Sequence, residues 1–384
     1  MRSTMSLFSA VFLALLSTTA IAQVTVGPYG QCGGASYTGP TQCESGLVCQ
    51  VVNQWYHQCV PGSAVPTPIP TPTPTQNPPV STTSRPVVTA CPGAVAKFQY
   101  FGVNQAGAEF GNNVIPGLLG THYTWPSPTS IDFFTREGFN SFRIPFQLER
   151  LNPPARGLTG SFDQPYLQGL KDTVSYITRK GAYAIIELWT NLANEFKNDE
   201  RVVFDVMNEP HTMEARVVFD LNQAAVNAIR AAGATRQLIL VEGTSWTGAW
   251  TWTTSSGNGN VFQNIKDPNN NVAIEMHQYL DSDGSGTSPL CVSSSIGRER
   301  LAAATAWLKQ HNLKGFLGEL GAGSNPTCIE AVKGAICSLQ ESGVWIGFAW
   351  WSAGPWWGDY FQSIEPPNGP ALVDMYPQAI KPFI

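Results

Sequence analysis

Val202-Val203-Phe204-Asp205-Val206-Met207-Asn208-Glu209-Pro210 opens a segment that continues through a helical pattern at residues 215–232. It ends in a second apolar run, Leu238-Ile239-Leu240-Val241-Glu242. A strand-like run, an amphipathic helix and another strand-like run in close succession read as a strand–helix–strand unit. Working outward, the same alternation repeats. Runs at residues 100–104, 141–145 and 182–186 precede it, and runs at 272–279, 315–319 and 346–351 follow it. Helical patterns lie between many of these runs, most clearly at 164–179, 296–309 and 329–339. Eight strands alternating with helices in the 294 residues from Cys91 to Ile384 predict an α/β fold, a (β/α)8 barrel in preference to an open sheet.

Polar and ionisable residues gather at the C-terminal ends of these runs: Asn104, Arg143, Asn208, Glu209, Glu242, His277, Tyr279, Glu319 and Trp351. In a barrel those ends share one mouth. Glu209 and Glu319 would sit on different strand ends. Two carboxyl groups so placed can flank a scissile glycosidic bond, one protonated as acid and the other ionised as nucleophile or base. His277 and Tyr279 fall on one side of their strand, because side chains alternate with period two. A phenol beside a carboxylate holds it oriented and ionised, and Arg143 can fix the same group by charge-assisted hydrogen bonds. Trp350, Trp351, Trp356 and Trp357 offer flat apolar faces on which a sugar ring can stack.

The rest of the chain has a different character. Arg2 precedes an apolar run at residues 7–16, and Ala20-Ile21-Ala22 before Gln23 fits a signal-peptidase site, so residues 1–22 are expected to be a signal peptide and the protein to be secreted and extracellular. The run is shorter than the roughly 20 residues that span a bilayer. Cys32, Cys43, Cys49 and Cys59 mark a disulfide-framed miniature domain at residues 23–60, and spacing alone leaves all three pairings open. Residues 61–90 contain 9 Pro, 7 Thr and 3 Ser, the composition of an extended, O-glycosylated spacer. Residues 91–384 form the barrel. Within it, Cys291 and Cys328 follow strand ends near one mouth and are paired, which leaves Cys91 with Cys337 by elimination.

Charged residues are only 13% of the chain, and the net charge of -5 includes no long run of either sign, so a nucleic-acid partner is not expected. Among the five histidines, His57, His122, His211, His277 and His311, no helical pair has zinc spacing. There is no nucleophile elbow of the Gly-x-Ser-x-Gly type and no phosphate loop. Nothing calls for a membrane partner or a second copy, and a monomer is expected.

Tyr29-Gly30-Gln31-Cys32-Gly33-Gly34, Cys43, Cys49 and Asn53-Gln54-Trp55-Tyr56-His57-Gln58-Cys59 together resemble a fungal family 1 carbohydrate-binding module. That resemblance implies pairs Cys32–Cys49 and Cys43–Cys59, a cellulose-binding face of Tyr29, Trp55 and Tyr56, and Asn53 and Gln58 as polar helpers. From Lys97 onward the chain resembles fungal endo-β-1,4-glucanases of glycoside hydrolase family 5. The matching stretches are Phe101-Gly102-Val103-Asn104, Phe142-Arg143-Ile144-Pro145-Phe146, Asn208-Glu209, Glu275-Met276-His277-Gln278-Tyr279-Leu280-Asp281, Gly318-Glu319 and Trp350-Trp351-Ser352-Ala353-Gly354-Pro355-Trp356-Trp357-Gly358. The family implies Glu209 as general acid/base and Glu319 as nucleophile of a retaining double displacement. It implies Asn208 on the sugar 2-hydroxyl, Arg143, His277, Tyr279 and Trp351 around the cleaved bond, and no metal or organic cofactor.

One departure stands out. After the third strand the family carries a loop beginning roughly Asp-Pro-His-Asn, whose His contacts the sugar. Here Ile185-Ile186 runs into Glu187-Leu188-Trp189-Thr190, and only residues 187–201 remain to return to the fourth strand. A strand of ~17 Å needs a helix of roughly 11 residues to run back, so the barrel closes with almost no mouth loop. The gap keeps open a cellulose-binding protein with a weakened barrel, or a truncated gene model. Cleft shape leaves a β-mannan or mixed-linkage glucan hydrolase as a further alternative.

Overall fold

Strands of a parallel barrel are covered on both faces, by packed side chains inside and helices outside, so they read as apolar runs rather than alternating ones. The computed structural model describes residues 25–26, 31–33, 39–53, 56–61, 91–95, 97–157, 160–187 and 190–384. The chain divides into two units, Met1–Ser84 and Arg85–Ile384.

In the first unit, β1 (Gln31–Gly33), β2 (Leu47–Asn53) and β3 (Tyr56–Pro61) form an antiparallel sheet in the order β1-β3-β2. So few residues cannot bury enough apolar surface to hold a fold alone. Disulfides Cys32–Cys49 and Cys43–Cys59 close loops with separations of 17 and 16 residues. Each contributes about 3 kcal/mol on the chain-entropy account. The signal peptide at 1–22, the spacer residues 62–90, and Tyr29 and Trp55 lie outside the described residues, as do the side chains of Asn53, Tyr56 and Gln58.

In the second unit, eight parallel strands close into a barrel: β4 (Tyr100–Gln105), β5 (Ser141–Ile144), β6 (Tyr183–Glu187), β7 (Val202–Asp205), β8 (Ile239–Glu242), β9 (Val272–Tyr279), β10 (Gly315–Gly321) and β11 (Trp345–Ala353). Strand order follows the chain, and β11 pairs with β4. The outer helices are α1 (Pro128–Glu137), α2 (Leu148–Leu151), α3 (Gln164–Arg179), α4 (Thr190–Phe196), α5 (Ala215–Ala231), α6 (Ile296–Gln310), α7 (Pro326–Ser342) and α8 (Pro370–Val373). Starts are chemically marked. The Asp163 side chain accepts from the Tyr166 N–H at the head of α3, and Asn325 accepts from Cys328 N–H at the head of α7, with Pro in the first turn of both. Such a cap is worth about 1 kcal/mol.

Two crossovers depart from the regular pattern. Between β8 and β9 the Gly- and Asn-rich chain forms only short 3-10 turns, Asn258–Asn260 and Phe262–Asn264, anchored on the buried Trp252. Between β6 and β7 the return is made by the seven-residue α4 and the turn that follows it. Disulfide Cys91–Cys337 ties the segment before β4 to α7, and Cys291–Cys328 joins the loop after β9 to α7. Inside the barrel, Tyr100, Ile185, Val203, Leu240, Ala273, Phe316 and Ala349 pack as an apolar floor. Above that floor the lining turns polar.

Candidate active site

Alternation places the site. Val203 pairs with Ile185 and Glu242 with Glu275, so the floor residues Val203, Leu240 and Ala273 are followed two positions later by the inward-pointing Asp205, Glu242 and Glu275; Arg143 pairs with Asn104 and reaches the same layer from β5. Arg143 is fully buried and serves as the hub. Its Nη1 donates to Glu319 Oε1 at 3.1 Å and to Asn104 Oδ1 at 3.1 Å, its Nη2 to Asn208 Oδ1 at 2.7 Å, and its Nε to Asp205 Oδ2 at 3.0 Å. Glu275 Oε1 lies 3.2 Å from Nε, and Glu242 Oε1 3.4 Å from Nη2. Burial works to lower the Arg143 pKa, but Asp205, Glu275, Glu319 and Glu242 hold it well above its ordinary value.

Glu319 reaches the mouth through a break in the strand. Phe316 lies on the floor, and strict alternation would turn Glu319 outward; the register with β9 slips between Leu317 and Glu319 and turns it in, opposite His277. Gly318 permits the slip. A Cβ there would stand 1.7 Å from Glu275 Oε1. The Glu319 carboxyl accepts from Arg143 on one oxygen and from the Tyr279 hydroxyl on the other. Burial pushes its pKa up, with Glu209 adding to the rise, while His277, Arg143 and Tyr279 favour the ionised form.

Glu209 stands in the turn that follows β7, in the left-handed region at φ 46. Its backbone N–H donates to Glu242 Oε2 at 2.7 Å, which anchors that conformation. His277 Nδ1 lies 2.7 Å from Glu209 Oε1 and 3.6 Å from Glu319 Oε2. Burial alone would lower the His277 pKa; Glu319, Glu242, Glu209 and Glu275 hold it well above the ordinary histidine range. The His277 contact falls on Oε1 and leaves Glu209 Oε2 clear of it. Oxygens of Glu209 and Glu319 and a nitrogen of His277 all lie within 4.8 Å of one another.

The structure therefore brings Arg143, Asn208, Glu209, His277, Tyr279 and Glu319 into one mouth. Trp351 follows the inward-facing Ala349 by two positions, is partly exposed, and its ring lies 5.9 Å from that of Trp357. Trp350 is core, its indole N–H donating to Gln362 O. Asp205, Glu275 and Gly318 were not singled out in the sequence reading. The signal for the two acids is a carboxylate at inward parity inside an apolar run: Val203 then Asp205, Ala273 then Glu275. Trp246, exposed and stacked on His211 at 5.0 Å, donates its backbone N–H to Pro210 O, the residue after Glu209. Glu242, Glu275 and His277 have donor atoms close enough to share an ion, but Arg143 already lies against both carboxyls.

Comparisons with known proteins agree with this architecture. Residues 97–188 and 187–355 match the family model described as Cellulase (glycosyl hydrolase family 5), in two stretches that meet where the strand-end loop is lacking. The chain belongs to glycosyl hydrolase family 5. Residues 28–56 match the model of the fungal cellulose binding domain. "Endoglucanase 3" of Humicola insolens is 46% identical over 382 residues, covering 94% of this chain and 95% of that protein. "Endo-beta-1,4-glucanase B" of Emericella nidulans is 48% identical over 301 residues, 73% of this chain and 90% of the relative. Among solved structures, the endo-β-1,4-glucanase Xac0029 from Xanthomonas axonopodis pv. citri superposes with a TM-score of 0.70 at 34% identity, over 75% of this chain and 100% of that one. XacCel5A in complex with cellopentaose gives 0.70 at 37% identity, over 75% and 99%.

Proposed function

We propose that the protein is a secreted endo-β-1,4-glucanase that cleaves internal bonds of cellulose with retention of configuration. The observation that carries this reading is the close approach of Glu209 and Glu319: one oxygen of each lies within 4.8 Å of the other, with His277 Nδ1 facing both. A retaining pair is separated by about 5–5.5 Å, whereas an inverting pair needs roughly 6.5–9.5 Å to admit a water.

In the first step Glu319 attacks the anomeric carbon while Glu209 passes its proton to the departing glycosidic oxygen. The bond to the leaving sugar breaks and an ester to Glu319 forms. In the second step Glu209, now ionised, takes a proton from water as that water attacks the same carbon and releases Glu319. Asn208, held by Arg143, is placed for the sugar 2-hydroxyl. Tyr279 and Arg143 favour the ionised form of Glu319 and aim it, and Trp351 supplies an apolar face for the ring.

The same reading assigns residues 1–22 to a signal peptide, 23–60 to a cellulose-binding module with Tyr29, Trp55 and Tyr56 as its face and Asn53 and Gln58 beside them, 61–90 to an O-glycosylated spacer, and 91–384 to a monomeric catalytic barrel. Tethering raises the local concentration of polymer at the barrel without adding catalytic contacts. Among the described residues no helix is long and apolar enough to cross a membrane. The test is reducing-sugar release from a soluble β-1,4-glucan by the full chain beside its Glu319→Gln variant. Release that depends on Glu319 is expected. A full chain no more active than the variant would overturn the reading.

A further inference from the structure

Glu187 is the last residue of β6 and pairs with Asp205 of β7, just as Ile185 pairs with Val203. Ile185 and Val203 lie on the apolar floor, and the Asp205 carboxyl reaches Arg143. The same parity turns Glu187 inward, into the mouth above Ile185. There it differs from the other inward acids. Asp205, Glu242 and Glu319 accept hydrogen bonds, Glu275 lies against Arg143, and all four are buried. Glu187 is partly exposed, and no described residue hydrogen-bonds or ion-pairs with its carboxyl.

We propose that Glu187 is a sugar-binding residue whose carboxyl hydrogen-bonds a hydroxyl of the glucan ring held over Arg143. The proposal rests on the endoglucanase reading and names a contact within the same site. A pyranose ring presents hydroxyls that both donate and accept, and a polar group in a mouth without a protein partner is matched by such a ligand. Burial, together with Asp205, Glu109 and Glu275, pushes the Glu187 pKa up to about 8 against the pull of Arg143. In neutral and acidic solution the group therefore keeps its proton, donates and accepts at once, and adds no charge beside Glu319.

The experiment is calorimetric binding of cellotetraose at pH 6 to the full chain carrying Glu319→Gln, which prevents turnover, alone and with Glu187→Gln, Glu187→Asp or Glu187→Ala. Glu187→Ala is expected to weaken binding roughly five- to tenfold, and Glu187→Gln, which keeps a donor and an acceptor, by less than twofold. Glu187→Asp keeps the carboxyl but shortens its reach, and about threefold weaker binding is expected. It guards against an alanine variant that fails to fold. Parent-like binding by folded Glu187→Ala or Glu187→Asp overturns the assignment. Failure of the endoglucanase reading looks different: the unsubstituted chain releases no reducing sugar while its binding still tracks Glu187.

Discussion

Glu209 and Glu319, which face each other across the mouth, are held by unlike pieces of the barrel. Glu319 sits on the seven-residue β10, between the eight-residue β9 and the nine-residue β11; its side chain is 5% exposed and clamped by Arg143 and Tyr279. Glu209 follows the four-residue β7 in a left-handed turn; its side chain is 25% exposed, with His277 beside one oxygen. The difference suits two roles. A nucleophile must be fixed and dry, because one misplaced ångström lowers the attack rate steeply. An acid that later becomes a base for water must be reachable by that water.

The largest break in this comparison is Glu319→Gln, expected to lower hydrolysis of soluble glucan by roughly 10⁴-fold or more, measured as initial rates. Glu209→Gln should cost about 10²–10⁴-fold on the same polymer. On a dinitrophenyl cellobioside, whose leaving group departs without a proton, the first step should survive. A burst of phenolate followed by slow turnover is the expected trace, and equal losses on both substrates would erase the distinction between the two carboxyls.

Gly318→Ala tests the bulge from inside. The methyl group meets Glu275 Oε1, and the change should destabilise the barrel by about 1–3 kcal/mol in urea unfolding and lower kcat, since Glu319 must move with the strand.

The fold was legible because buried parallel strands announce themselves as apolar runs. The run predicted at 272–279 coincides with β9, and the pattern at 164–179 with α3. Where the signal is shorter, the ends drift: β11 extends to Trp345–Ala353, and the fourth strand stops at Asp205. The site was legible at strand ends, where a polar residue interrupts an apolar run. It was not legible one layer below. Asp205 and Glu275 sit within the runs themselves, and their role depends on which face turns inward, which neighbouring strands decide. The slip at Gly318 is harder still, because period-two counting from Phe316 turns Glu319 the wrong way. What fixes a glycine at the slip is Glu275, distant in sequence, whose carboxyl occupies the space a Cβ at position 318 would take.

A smaller effect sharpens the contrast between the buried layer and the exposed acid. Burial raises Glu109, Glu275 and Glu365 to about 7 and Glu187 to about 8. These groups bind protons more tightly folded than unfolded, so their contribution is fully present below pH 4.5 and is lost as pH rises through about 7 to 8. The barrel should melt at a higher temperature at pH 5 than at pH 8. Glu365, bonded by Ser130 and the Gly354 N–H away from Glu209 and Glu319, isolates one share: Glu365→Gln should flatten that slope, and an unchanged slope would remove Glu365 from the account.

The most direct test of the central claim is the anomeric configuration of the first product. Proton NMR during hydrolysis of cellopentaose by the full chain should show the β-anomer first, with the α-anomer arising only by later mutarotation. First appearance of the α-anomer would mean inversion, and Glu319 would then not be the nucleophile.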